Sequence, residues 1–166
     1  MVCSVDELID DIKTPKKRDT DEFFSILKGR VAVQKRLLSA NYDVKEEILG
    51  SNKLSSMLYN NIKALRESTK RGVRVRFITT FQKNRLQNYK AYLDAGVELR
   101  VFDEKKFGYL LPRITILDKK TARLTIGEPE ITDGEDYLTI WTESKVFASS
   151  FFTYLDDLWQ KCEPIE

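Results

Sequence analysis

The first candidates for chemistry in this chain are close carboxylate pairs: Asp10 with Asp11, Glu46 with Glu47, and Glu128 with Glu130. Converging carboxylates suit general acid–base or metal-assisted hydrolysis. Adjacent residues diverge on a helix and point to opposite faces of a strand, so only Glu128 and Glu130, in a loop, have a spacing that converges. The chain has no histidine. That removes Ser-His-Asp and Cys-His nucleophile activation, histidine-containing zinc sites and the commonest general base near neutral pH. Carboxylate, lysine, tyrosine and cysteine chemistry is what remains. Cys162 beside Lys161 would be a sensitised thiol only in a cationic setting, and so close to the C-terminus it reads as passive and exposed. No catalytic residue, metal site or cofactor is assigned.

A second group consists of small polar and charged residues at the ends of expected strands: Ser51, Asn52, Thr79, Thr80, Asp103, Arg113 and Asp118. In open α/β sheets ligands collect beyond the carboxyl ends of the strands, and there these side chains would line a polar pocket for a small or anionic ligand. The alternative is structural: Ser and Asn cap helices, Thr suits strand ends, and Arg113 with Asp118 neutralise each other. Arg74, Arg76 and Arg100 either support anion binding or form a salt-bridged strand face, with Glu98 and Glu46 as partners.

The stretch Lys70 to Thr80 organises the elements that position these residues. Lys70 and Arg71 suit the carbonyl end of a helix, Gly72 a left-handed cap, and Val73, Val75 and Phe77 alternate as a strand. Before it, a strand is expected through Phe24 and Ile26, a turn at Lys28-Gly29, a helix from Arg30 to Ala40 with Val33, Leu37 and Leu38 inside, a strand from Val44 to Leu49, and a helix from Leu54 to Thr69 capped by Ser51 or Asn52. After it come a helix from Asn84 to Asp94, with Leu86, Tyr89, Lys90 and Leu93 near one face, and a strand from Val97 to Phe102. This alternation implies right-handed crossovers and a largely parallel sheet. Beyond Asp103, Ile114–Asp118, Arg123–Gly127 and Tyr137–Trp141 are short strands with turns at Lys119-Lys120 and Asp133-Gly134, too close for crossovers and so antiparallel. Ser144 opens a last helix whose broad apolar face includes Val146, Phe147, Phe151, Tyr154, Leu155 and Trp159. That face packs in the core or at a subunit interface.

At 166 residues the chain is expected to form one main domain, preceded over residues 1–20 by a short helix, Asp6 to Lys13, and a basic linker at Lys16-Lys17-Arg18. Lys plus Arg number 28 against 26 Asp plus Glu, a net +2 that argues against direct nucleic-acid or membrane binding. The cysteines, Cys3 and Cys162, read as free thiols of a reducing, cytoplasmic setting. No apolar run approaches the roughly 18 residues of a membrane span.

Lys70-Arg-Gly-Val-Arg-Val-Arg-Phe-Ile-Thr-Thr80, paired with Val97-Glu-Leu-Arg100, resembles the phospholipase D-like superfamily. Arg113-Ile-Thr-Ile-Leu-Asp118 and Leu124-Thr-Ile-Gly127 stand where that superfamily has its catalytic strand and the next strand, and a terminal helix ending Asp157-Leu158-Trp159 comes after them. With Lys28-Gly29-Arg30 and Asp94-Ala95-Gly96-Val97, the pattern resembles the effector part of archaeal TrmB-like transcription regulators and sensory domains of archaeal histidine kinases. The resemblance spans about Asp21 to Lys161.

It implies a three-layer α/β/α half with a mixed sheet over residues 21–166, parallel in its N-terminal part and antiparallel in its C-terminal strands. The superfamily's His-x-Lys-x-x-x-x-Asp signature, anchored on Asp118, puts Leu111 at the histidine place and Arg113 at the lysine place. The nucleophile is missing, whereas an arginine still holds an anion. Gly127-Glu128-Pro129-Glu130 replaces the usual Gly-Ser-x-Asn. The resemblance therefore implies a non-catalytic, ligand-sensing and dimerising domain of an archaeal regulator or signalling protein, with DNA reached only through a separate winged-helix domain. Leu111, Arg113, Phe151 and Trp159 would border the homodimer interface. Alternatives are a structural protein–protein interaction module, and a phosphodiesterase-like enzyme with a non-histidine nucleophile.

Overall fold

The computed structural model describes residues 24–55, 58–126 and 138–165. The expected helix over Asp6 to Lys13, the basic linker and its boundary at residue 20, Met57, the Glu128/Glu130 pair and the Asp133-Gly134 turn lie outside them.

The elements run β1 (Phe24–Lys28), α1 (Arg30–Asp43), β2 (Glu47–Ser51), α2 (Tyr59–Lys70), β3 (Arg74–Thr79), a 3-10 turn (Lys83–Arg85) leading into α3 (Leu86–Asp94), β4 (Glu98–Val101), α4 (Glu104–Phe107), β5 (Arg113–Leu117), β6 (Thr121–Ile126), β7 (Leu138–Thr142), α5 (Lys145–Lys161) and β8 (Glu163–Pro164). Among the described residues they form one sheet in the order β1-β7-β6-β5-β2-β3-β4-β8. β2, β3 and β4 are parallel, and every other pairing is antiparallel. Alternating side chains separate two cores. Ile48, Val75, Phe77 and Leu99 pack with Ile62, Leu65, Tyr89 and Tyr92 of the α1–α3 layer. Leu49, Ile78 and Ile116 pack with Leu155, Leu158 and Trp159 of α5.

The mixed α/β architecture is the expected one, but β1 is not where the strand–helix rhythm places it. It lies at the far edge, antiparallel to β7, with Ile26 opposite Ile140. The slot beside β2 belongs to β5. A crossover helix requires that the chain return to the sheet in the same direction, and it leaves the choice of neighbour to long-range packing.

Local boundaries differ for identifiable reasons. α1 continues past Ala40 because Asn41 is buried, its carbonyl accepting a 2.8 Å bond from the Ser68 hydroxyl. β2 starts at Glu47 because the N–H groups of Lys45, Glu46 and Glu47 are taken by the Asp118 carboxylate. α2 starts only at Tyr59, so neither Ser51 nor Asn52 caps it: Asn52 Oδ1 instead accepts from Leu54 N in an Asx turn. In α3 the buried face is Tyr89 and Tyr92, while Leu86 and Leu93 are exposed. The β5–β6 turn centres on Asp118 and Lys119, both at positive φ (51° and 55°), the backbone of a tight hairpin turn, with Lys120 N bonded to Leu117 O. Gly72 takes the left-handed cap as expected, at φ 92°.

Helix α5 is held down by an ion network. The guanidinium of Arg76, 3% exposed, reaches Asp156 of α5 at 2.7 Å and Glu47 of β2 at 3.3 Å. Arg76 and Arg100 both lie against the Trp159 ring, at 5.4 and 4.7 Å, and Arg100 donates to the Trp159 carbonyl. Arg74 pairs with Glu98 at 2.9 Å, which draws the Glu98 carboxyl below its usual pKa. Arg74 and Arg76 thus form a salt-bridged face, Arg100 is held by the Trp159 ring and nearby carbonyls, and Glu47 takes the role expected of Glu46. Trp159 is buried inside its own chain and has no surface to offer an interface, whereas Val146, Phe147 and Tyr154 are exposed.

A strand-end crevice as candidate functional site

The carboxyl ends of β2, β3 and β4 and the start of β5 lie at one end of the sheet, a consequence of the parallel and antiparallel registers. Ser51, Asn52, Thr79, Thr80, Asp103 and Arg113 therefore gather there. Asp118 does not. It comes directly after the last residue of β5 and stands at the opposite end, where its carboxylate accepts three backbone N–H groups at 2.8 to 3.0 Å. It anchors the β2–β5 junction, and the expected partnership of Arg113 with Asp118 does not form. A groove of about 310 Å³ beside Asp118 is floored by Trp141 and crossed by Arg36, which lies 4.8 Å from that ring.

The gathered residues divide by role. Ser51 is fully buried: its hydroxyl donates to Pro112 O at 2.5 Å and accepts from Ile114 N at 3.2 Å, so it welds β2 to the entrance of β5. Thr79 is equally inaccessible. Leu111 is 4% exposed and belongs to the α5-side core, so it does not present a surface to a partner. Asp103 caps α4, accepting from the N–H groups of Lys105 and Lys106. Thr80 is different. It is 7% exposed, and its Oγ1 is shielded from solvent with no hydrogen-bond partner among the described residues, a state that costs about 1–3 kcal/mol.

Thr80 lines a crevice of about 430 Å³ together with Lys53, Phe81, Gln82, Phe102, Asp103, Glu104 and Lys105. The chain around it is held in place. Tyr89 donates its hydroxyl to Thr80 O at 2.8 Å and accepts from Gln82 N at 3.0 Å, clamping the Thr80–Gln82 rim, and its ring stacks under Phe81. Arg85 and Asn88 hold the carbonyls of Lys53 and Leu54. Glu104 accepts from Leu111 N at 3.3 Å and faces the Lys53 ammonium at 3.7 Å, an ion pair too long for a hydrogen bond. Lys53, Phe81, Gln82, Glu104 and Lys105 escape a reading based on strand-end polarity, because turns and a four-residue helix bring them in.

A second polar feature is also invisible to that reading. On β5, β6 and β7, Arg113, Thr115, Arg123, Thr125 and Thr139 share one face by register. Arg123 Nη2 donates to Thr115 Oγ1 at 2.9 Å, and the Thr125 and Thr139 hydroxyls meet at 3.1 Å. The lane runs from Arg113 at the sheet end into the α1-side interior, where Thr115, Arg123 and Thr139 are buried. The alternation of Arg123 and Thr125 with apolar neighbours is legible in the sequence, but not that this face turns inward.

Comparison with solved structures identifies the architecture. NucT from Helicobacter pylori superposes with a TM-score of 0.69 at 16% identity, over 86% of this chain and 98% of that one. Nuc from Salmonella typhimurium, a phospholipase D family member, gives 0.67 at 19% identity over 86% and 99%. The fold is phospholipase D-like. TrmBL2, an archaeal chromatin protein whose structure shows a novel mode of DNA binding, matches with a TM-score of 0.64 at 19% identity over 96% of this chain and 61% of that one. The chain thus spans about three fifths of the length of TrmBL2. No protein-family model matches the sequence, and no curated protein does. Among the described residues, no helix is long and apolar enough to cross a membrane.

Proposed function

We propose that this phospholipase D-like domain is a non-catalytic, ligand-sensing and dimerising module of an archaeal, cytoplasmic regulatory protein. One observation carries the reading: Leu111, apolar and buried, occupies the place of the superfamily's nucleophilic histidine in a chain with no histidine at all. Phosphodiester cleavage through a phosphohistidine then has no starting group. Arg113, at the lysine place, keeps the capacity to hold an anion. The likeness to TrmBL2 along nearly the whole of this chain supports a regulatory setting in which DNA is reached through another domain.

In this reading two copies meet at the sheet end that carries Arg113, and a ligand shifts the dimer by the difference in its affinity for two arrangements. Mass measured by light scattering on the wild type and on Arg113→Glu, each with and without sugars, nucleotides and phosphates, tests it. A dimer weakened by the substitution or tightened by one compound is expected. A monomer indifferent to every compound overturns it.

A second reading, a structural interaction module, draws on the exposed aromatic run at the start of α5. There Phe147 packs against Phe24 at 5.9 Å and Phe151 at 5.0 Å, with Ile26 exposed on the neighbouring edge strand. A dimer that forms without Arg113 and is lost on Phe147→Glu favours it.

A further inference from the structure

We infer that the crevice between β3, β4 and α4 is the ligand seat of this domain, and that it takes a small anion carrying a flat ring, of the nucleoside monophosphate class. The inference rests on the sensing reading above and gives it a site distinct from Arg113.

Several features of the crevice converge on that chemistry. The Lys53 side chain is only 14% exposed, yet its nearest carboxylate among the described residues, Glu104, stands at 3.7 Å, beyond hydrogen-bond range. A phosphate or carboxylate oxygen entering the crevice would meet donors that Glu104 leaves unfilled. Lys105 supplies a second cation at the rim. Both carboxylates on the wall are already engaged, Asp103 by two backbone N–H groups and Glu104 by Leu111 N and Lys53, which lowers their repulsion of an anion.

The opposite wall is suited to a ring. Phe81, nearly half exposed, is stacked on Tyr89 with centroids 6.1 Å apart, so its outer surface offers a rigid platform for a planar group. Gln82 lies beside it and brings an amide with both donor and acceptor capacity. Thr80 also lines the crevice, and its hydroxyl has no partner among the described residues. The space, about 430 Å³, falls within the range of small-molecule sites.

Calorimetric titration of the full chain with adenosine 5′-monophosphate, adenosine and inorganic phosphate tests the assignment. The monophosphate is expected to bind at least about tenfold more tightly than either fragment. Lys53→Met and Phe81→Ala should each weaken it by about tenfold or more, whereas Lys63→Met, on the exposed face of α2, leaves it unchanged. Thr80→Val, nearly isosteric, folds at least as well as the wild type and still loses affinity, which separates a binding defect from a folding one. No binding by the wild type at millimolar monophosphate overturns the inference. So does binding that survives Lys53→Met and Thr80→Val but is lost on Arg113→Glu, which would move the ligand to β5 and leave the sensing reading intact. The sensing reading itself stands or falls by the light-scattering result, which reports mass and not occupancy of this crevice.

Discussion

Arg113 opens β5 and Asp118 comes directly after its last residue, so the two charges that the sequence motif joins stand at opposite ends of the sheet. Five residues of extended chain put their backbones about 17 Å apart, at ~3.4 Å per residue. Asp118 works as a backbone clamp on the entry to β2, and Arg113 stands with the strand-end cluster.

Removing the clamp should be costly. Asp118→Ala leaves three backbone N–H groups without their acceptor, for an expected loss of about 1–3 kcal/mol read from urea unfolding. Combined with Arg113→Ala, the two losses should add to within about 0.5 kcal/mol, since the sites share no partner through each other. A larger coupling in the double-mutant cycle would mean that the pair communicates after all.

The buried guanidinium of Arg76 predicts an asymmetry. Arg76→Ala leaves Glu47 with Lys119 as its remaining cation and removes the anchor of α5 at Asp156, so a loss of about 3 kcal/mol is expected. Arg76→Met, which keeps the apolar stem against Phe152 and Trp159, should cost distinctly less. Equal denaturation midpoints for the two variants would contradict this account.

Gly50 is required by a close approach. A Cβ there would sit 2.9 Å from the Phe77 ring and 3.3 Å from Ile114 O. Gly50→Ala should therefore destabilise by about 1–3 kcal/mol, and Phe77→Leu in the same chain should recover part of that loss. Thermal unfolding of the two single variants and the double variant measures it.

Alkaline pH should weaken the fold. Burial pushes the Cys162 thiol up to about 11 and the Tyr92 phenol up to about 12. In the unfolded chain these groups ionise near ~8.5 and ~10, so the folded state holds both protons more tightly. The stability they contribute is complete below the unfolded values and is lost as pH rises through the folded ones. The urea midpoint should hold steady to about pH 8 and fall above it, with Tyr92→Phe and Cys162→Ala flattening part of the decline. A decline of the same size in both variants would place its cause elsewhere.

Much of the fold is legible along the chain. Alternation in Val73, Val75 and Phe77 marks β3, Gly72 marks the turn before it, and Ser144 marks the start of α5, where its hydroxyl accepts from Phe147 N. α4 escapes such a reading because a four-residue helix has no period, and its cap, Asp103, then resembles a ligand residue. Lys53, Phe81 and Gln82 escape it because they come from irregular turns, where side-chain direction is not set by a repeat.

The sequence alone determined where most of the longer segments are helical or extended, and that no histidine is available for catalysis. These follow from local periodicity and composition, which the backbone obeys within a few residues. Tertiary structure decided what sits beside what: β1 against β7, Trp159 beneath two arginines, Asp118 on the β2 amides, and the Thr115–Arg123 lane turned inward. Those choices depend on contacts between residues tens of positions apart, and an alternating strand carries the same pattern whichever neighbour it pairs with and whichever layer covers its polar face.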